Sequence, residues 1–157
     1  MSTHDRVAAL VRHYYWDRDL NCARTTLRCL ENVLKEPLHP QMYTATVGCH
    51  GAGGTGGQCG LVEGGLLLIG LRGAELGKEE SEIVDLCAQF AAQFTERFGS
   101  LSCKDLRPGG IHPNDPPHLC ESVSVDAICF LHDFLDEMTH SAEPNRRKTG
   151  FGADAAE

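Results

Sequence analysis

An all-α fold is what this sequence predicts, and three observations carry the prediction. Apolar residues recur at spacings of three and four along most of the chain, capping residues stand ahead of these runs, and no stretch alternates convincingly as a strand. The chain has 157 residues, enough for one domain with a genuine core. The expected architecture is a single-domain bundle of about five to six helices with a glycine-rich loop. It should occupy residues 1–139, with a polar, disordered C-terminal tail over 140–157.

Residues 5–18 read as the first helix, with Val7, Leu10, Val11 and Tyr14 on one side. Asn21 stands as an N-cap before CARTTLRCLENVLKE, where Ala23, Leu27, Leu30 and Leu34 share a face and Pro37 ends the pattern. PLHPQMYTATVG is a connector with a helical turn around Gln41 to Thr46. Next comes GCHGAGGTGGQCGLVEGG, residues 48–65, with nine glycines in eighteen positions. So much lost backbone entropy implies turns or close approaches that a side chain would obstruct.

LVEGGLLLIGLRG is too long and too poor in β-branched residues for an average strand, and reads as a buried helix. Gly60, Gly64 and Gly65 give it a nearly bare face for a second helix, a cofactor or another copy of the chain, so a homodimer is one expected assembly. Glu79, Glu80 and Glu82 favour the positive start of a helix that runs to Phe98 and stops at Gly99. Its buried side carries Ile83, Cys87, Phe90, Ala91, Phe94 and Phe98. SLSCKDLR is a short helix capped by Ser100 or Ser102, and PGGIHPNDPP is irregular. Residues 117–139 form the last helix, with Cys120, Val123, Ala127, Leu131, Phe134 and Met138 on its apolar stripe.

Composition narrows the function. The formal charge of −8 and the lack of a basic patch outside Arg146, Arg147 and Lys148 argue against a nucleic-acid partner. The longest apolar run, Leu66 to Leu71, cannot cross a bilayer. The N-terminus has no basic-then-apolar leader, so a cytoplasmic protein is expected. Eight cysteines are then the anomaly, because a reducing compartment gives them metal, redox or packing roles rather than disulfides.

No pair forms CxxC, so a shared site must be assembled by the fold. Cys22, Cys59, Cys103 and Cys120 each fall at or near the start of an expected helix. Free amides and the helix dipole favour a negative side chain there, which lowers a thiol's pKa and supplies the thiolate that attacks or ligates. The glycines before Cys59 should expose backbone amides to such a site. Gly57 and Gly60 accordingly join the four cysteines as candidate cofactor-binding residues.

The remaining cysteines read as packing or auxiliary groups. Cys87 and Cys129 lie on helices as structural residues. Cys29 packs in the core or lines the same pocket, and Cys49 is an auxiliary ligand or resolving thiol. His50 and His118 are weaker ligand candidates, and Asp126 and Asp133 are solvated. Gly51 to Gly56 spells G-x-G-x-x-G, but no preceding strand, βαβ alternation or Walker lysine supports a nucleotide site.

These features resemble the bacterial and archaeal C_GCAxxG_C_C family of redox-active proteins. The matching elements are NCA at 21–23, GGTGGQCGLVEGG at 53–65, Cys103 within FGSLSCKDL, and Cys120. The likeness spans about residues 14–135. Leu61 stands where the family has alanine, and Cys29 and Cys49 are additional thiols. The resemblance implies a mostly helical domain with a redox or metal-linked role. A related domain occurs in split-Soret cytochromes, but this chain has no CxxCH for covalent haem.

Three functions follow as expectations. The first is an iron–sulfur protein, most simply with a two-iron cluster, whose ligands are Cys22, Cys59, Cys103 and Cys120 and which passes electrons to a redox partner. The second is a thiol–disulfide switch or reductase with Cys59 as nucleophile. The third is a structural zinc site on the same four sulfurs, without enzymatic activity.

Overall fold

The computed structural model describes residues 1–141, and within them the chain is all-α. Eight α-helical segments follow one another, of which five are long: α1 (Thr3–Arg12), α2 (Cys22–Leu34), α5 (Gly60–Glu75), α6 (Glu80–Phe98) and α8 (Glu121–Ser141). The short ones are α3 (Pro40–Ala45), α4 (Gly51–Gly54) and α7 (Cys103–Leu106). A lone antiparallel bridge joins Gln58 to Ser102. Residues 142–157, which hold most of the expected tail, lie outside the described residues.

Helix α5 is the axis of the bundle. It is strongly apolar, with Glu63, Arg72 and Glu75 as its charged residues, and packs against α2, α6 and α8. Its glycines set these contacts. A Cβ on Gly64 would stand 3.1 Å from Thr26 of α2, and one on Gly65 2.7 Å from the Phe90 ring of α6. The bare face is therefore filled by the chain's own helices.

Between α6 and α8 lies an aromatic seam, with Phe90 stacked on Phe130 at 5.6 Å and edge-on to Phe134 at 5.4 Å. Helix α1 closes the opposite side against α8 and α2, burying Val7 and Val11.

The caps act as the sequence suggests. Asn21 Oδ1 accepts from the Arg24 amide at 2.9 Å. Glu79 and Glu82 form a capping box on α6, and Gly99 closes that helix in the left-handed region with φ 93°.

Three expectations need correction. The first helix is α-helical only to Arg12, and His13–Asp17 is a π-helical turn. The wider turn carries Tyr15, rather than Tyr14, into the core. The last helix starts at Glu121 instead of 117, because Pro116 and Pro117 lead into His118 at φ 60°. Cys87 is half-buried rather than sealed in the core.

Candidate functional site

Four helix starts meet at one end of the bundle. Cys22 is the first residue of α2, Cys59 is the N-cap of α5, and Cys103 opens α7. Cys120 precedes α8, and its carbonyl accepts the Ser124 amide at 2.8 Å. All four line one cavity of about 450 Å³, together with Tyr15, Asp19, His50, Arg107 and His118. Cys29 packs fully buried in the core. Gly54 is in the cavity wall, whereas Gly57 and Gly60 are not among the lining residues.

The glycine loop gathers these sulfurs by leaving space. Gly51 has φ 69°, and a Cβ there would come within 2.9 Å of both Cβ and Sγ of Cys103. On Gly60, a Cβ would lie 2.3 Å from Cys22 Sγ. Neither position admits a side chain. The loop's amides are spent differently from the expectation: Gly53, Gly54, Thr55 and Gly57 donate to carbonyls of Gly48, His50, Gly51 and Gly51. Its carbonyls turn outward to hold the α7 segment, with the Cys103 amide donating to Gly57 at 2.7 Å and Ser102 Oγ to Gly56 at 3.0 Å. The Cys59 amide donates to Leu101 at 2.8 Å, completing the clamp.

Within the site, Cys22 and Cys59 form an unequal pair. Hydrogen bonding by Cys22 holds the Cys59 thiol below its ordinary pKa against the opposing effect of burial. Amides of Leu61 and Val62 at the start of α5 add to the stabilisation of its anion. Cys22 is pushed well above the ordinary thiol range, chiefly because it keeps the proton it donates, and further by burial.

Burial also raises Cys103, and pushes Cys120 up to about 11; the Cys59 charge adds to both, and Arg107 opposes it. Arg107 is held by Asp115 at 3.3 Å. Among the described residues, no group of three or more His, Cys, Asp or Glu side chains is placed to hold a metal ion.

The sequence reading did not single out the aromatic wall. Tyr15 stacks on His118 at 4.6 Å, and its hydroxyl shares a 2.6 Å hydrogen bond with buried Ser124. His118 Nε2 lies 3.1 Å from Asp19 Oδ1. His118 and Asp19 both have left-handed backbones, with φ 60° and 47°, a conformation uncommon outside glycine that is tolerated where surroundings enforce it. Arg107 and Asp19 carry no motif that would have announced them. The prolines before His118 were the available signal.

Residues 20–134 match the family described as "Putative redox-active protein (C_GCAxxG_C_C)". The chain belongs to this family. The matched span holds the four cavity cysteines, the glycine loop and α2 through most of α8. No curated protein and no solved structure matches the chain. No helix among the described residues is long and apolar enough to cross a membrane.

Proposed function

We propose that this family member works by thiol–disulfide exchange, with Cys59 as the attacking thiolate and Cys22 as the resolving thiol. The observation that carries the reading is that Cys22, at the start of α2, and Cys59, at the start of α5, line one cavity, with Cys22 Sγ packed against Gly60 beside Cys59. It supplies a nucleophile and its resolving partner side by side, one favoured as anion and the other as thiol.

Cys59 sulfur attacks one sulfur of an external disulfide. The external S–S bond breaks, its other half leaves as a thiolate, and that thiolate takes a proton from solvent. Cys22 then releases its proton and attacks Cys59 Sγ. The mixed disulfide breaks, and the second external thiol departs with that proton. Two electrons have passed from the Cys22–Cys59 pair to the external disulfide, which leaves as two thiols.

A second reading uses the same four sulfurs as ligands of a two-iron cluster. Its support is the cavity that Cys22, Cys59, Cys103 and Cys120 share, since four thiolates suit such a cluster. The zinc reading uses the same four sulfurs, and the absence of a closed ligand group among the described residues weighs on it and on the cluster reading alike.

One experiment separates them. Anaerobically purified protein is divided between incubation with ferrous iron and sulfide and oxidation with diamide followed by peptide mapping. A Cys22–Cys59 disulfide and an iron-free, colourless reconstitution product are expected. A stable visible spectrum with about two irons per chain would replace the proposal with the cluster reading.

A further inference from the structure

The cavity that holds the proposed redox pair also restricts what can reach it. Cys59 is only 5% exposed and lines a space of about 450 Å³. Its walls are pinned: the bridge of Gln58 to Ser102 and the bond from the Cys103 amide to Gly57 at 2.7 Å hold the α7 segment against the glycine loop. A disulfide embedded in a folded protein cannot bring its sulfur against one recessed in this way. A short linear disulfide can enter the volume.

The lining adds two chemistries. Leu20, Leu61, Leu106, Ile111 and Val123 are apolar and suit the CH2–S–S–CH2 segment of such a molecule. Arg107 is the cavity's one lysine or arginine among the described residues, and its side chain is 22% exposed. Its Nε donates to Asp115 Oδ2 at 3.3 Å and its Nη2 to the Pro116 carbonyl at 3.4 Å, while Nη1 makes no hydrogen bond to the described residues. Asp115, fixed in turn by the His112 amide at 2.9 Å, is not a lining residue, so the cavity meets the guanidinium and not its counter-charge. The carboxylate that does line it, Asp19, is 90% exposed and paired with His118 Nε2 at 3.1 Å. A planar guanidinium with an unused donor in a partly desolvated wall is a receptor for a carboxylate.

We propose that the substrate is a low-molecular-weight disulfide bearing a carboxylate, which Arg107 binds while the disulfide lies against Cys59. The inference rests on the reading of Cys22 and Cys59 as the redox pair. Cys59 sulfur attacks the near sulfur of the bound disulfide, and the external S–S bond breaks. The far half leaves as a thiolate and takes a proton from solvent. The near half stays on Cys59 as a mixed disulfide, its carboxylate still on Arg107. Cys22 then gives up its proton and attacks Cys59 Sγ, and the near half departs as a thiol with that proton. The chain has lost two electrons to the disulfide, which leaves as two carboxylate-bearing thiols.

The test oxidises the reduced full chain with dithiodipropionate, hydroxyethyl disulfide or cystamine, short disulfides whose ends are anionic, neutral and cationic. Each rate is divided by that of free mercaptoethanol with the same disulfide, which removes differences in the leaving thiol. The normalised rate should be at least about tenfold higher for dithiodipropionate than for either of the others. Insulin, whose disulfides belong to a folded protein, should fall below all three. Arg107→Gln should abolish the preference for the anionic disulfide over the neutral one, and Arg107→Lys should restore part of it. The wild-type ranking needs no variant, so it decides the matter even if Arg107→Gln fails to fold. A Cys22–Cys59 disulfide formed with equal normalised rates, with cystamine fastest, or with insulin matching dithiodipropionate overturns the substrate assignment alone. Absence of a Cys22–Cys59 disulfide from peptide maps of the oxidised wild-type chain overturns the underlying redox pair.

Discussion

Of two thiols that share one proton, the acceptor becomes the nucleophile, and at this site the acceptor is Cys59. Its pKa is lowered by the Cys22 hydrogen bond and by α5 amides, so its alkylation should reach full rate at lower pH than an ordinary thiol, which titrates near about 8.5. Cys22→Ala removes the donor. The Cys59 pKa then rises and its thiolate fraction at neutral pH falls, so alkylation at pH 7 should slow about three- to tenfold, with the whole profile displaced upward. Mass-resolved alkylation rates from pH 5 to 10 measure this directly. A profile unmoved by Cys22→Ala would show that the hydrogen bond does not set Cys59 reactivity. Cys120, pushed up to about 11 mainly by burial, should stay unmodified until well after Cys59.

At the scale of the element, α5 has to serve as both bundle axis and sulfur platform, and its glycines divide along that line. At Gly60 a Cβ would strike Cys22 Sγ at 2.3 Å and a backbone oxygen at 2.4 Å, whereas at Gly70 it would meet nothing within 4 Å. Gly60→Ala should therefore cost about 2–4 kcal/mol, since the obstruction includes main chain. Gly70→Ala should stabilise by about 0.5–1 kcal/mol through helix propensity alone. Urea unfolding of the two variants checks both signs, and equal effects would refute the close approach.

Much of this element logic is legible in the sequence. Asn21 before an apolar period, Gly99 after one, and the mostly apolar run following Cys59 mark where α2 and α5 begin and α6 ends. What escapes is three-dimensional. A π-helical turn leaves no periodic trace, so Tyr15 could not be distinguished from Tyr14 as the inward ring. The glycine-rich stretch announced crowding, but not that Cys103 and Cys22 were what crowded it. Glu63 reads as an ordinary first-turn acid until the fold buries its Oε2 without a hydrogen-bond partner.

Across the whole molecule, stability and chemistry are placed at different points. The aromatic seam of Phe90, Phe94, Phe130 and Phe134 joins α6 to α8, while the cavity is walled by the starts of α2, α5 and α7 and the segment leading into α8. Phe90→Ala should cost about 3–5 kcal/mol of stability yet leave the pH profile of Cys59 in the folded protein unchanged. Oxidation of the redox pair should do the reverse and act on stability through the site. A Cys22–Cys59 bond would tie the start of α2 to the start of α5 and close the whole connector and glycine loop, restricting the unfolded chain. Such a loop is worth up to about 4 kcal/mol by chain entropy alone. Losing the thiol hydrogen bond offsets about 1 kcal/mol of it. The oxidised form should thus resist urea by about 2–3 kcal/mol more than the reduced form, a difference that Cys22→Ser should abolish. Equal midpoints for the two redox states would mean that strain in the native helix starts cancels the entropy gained from the cross-link.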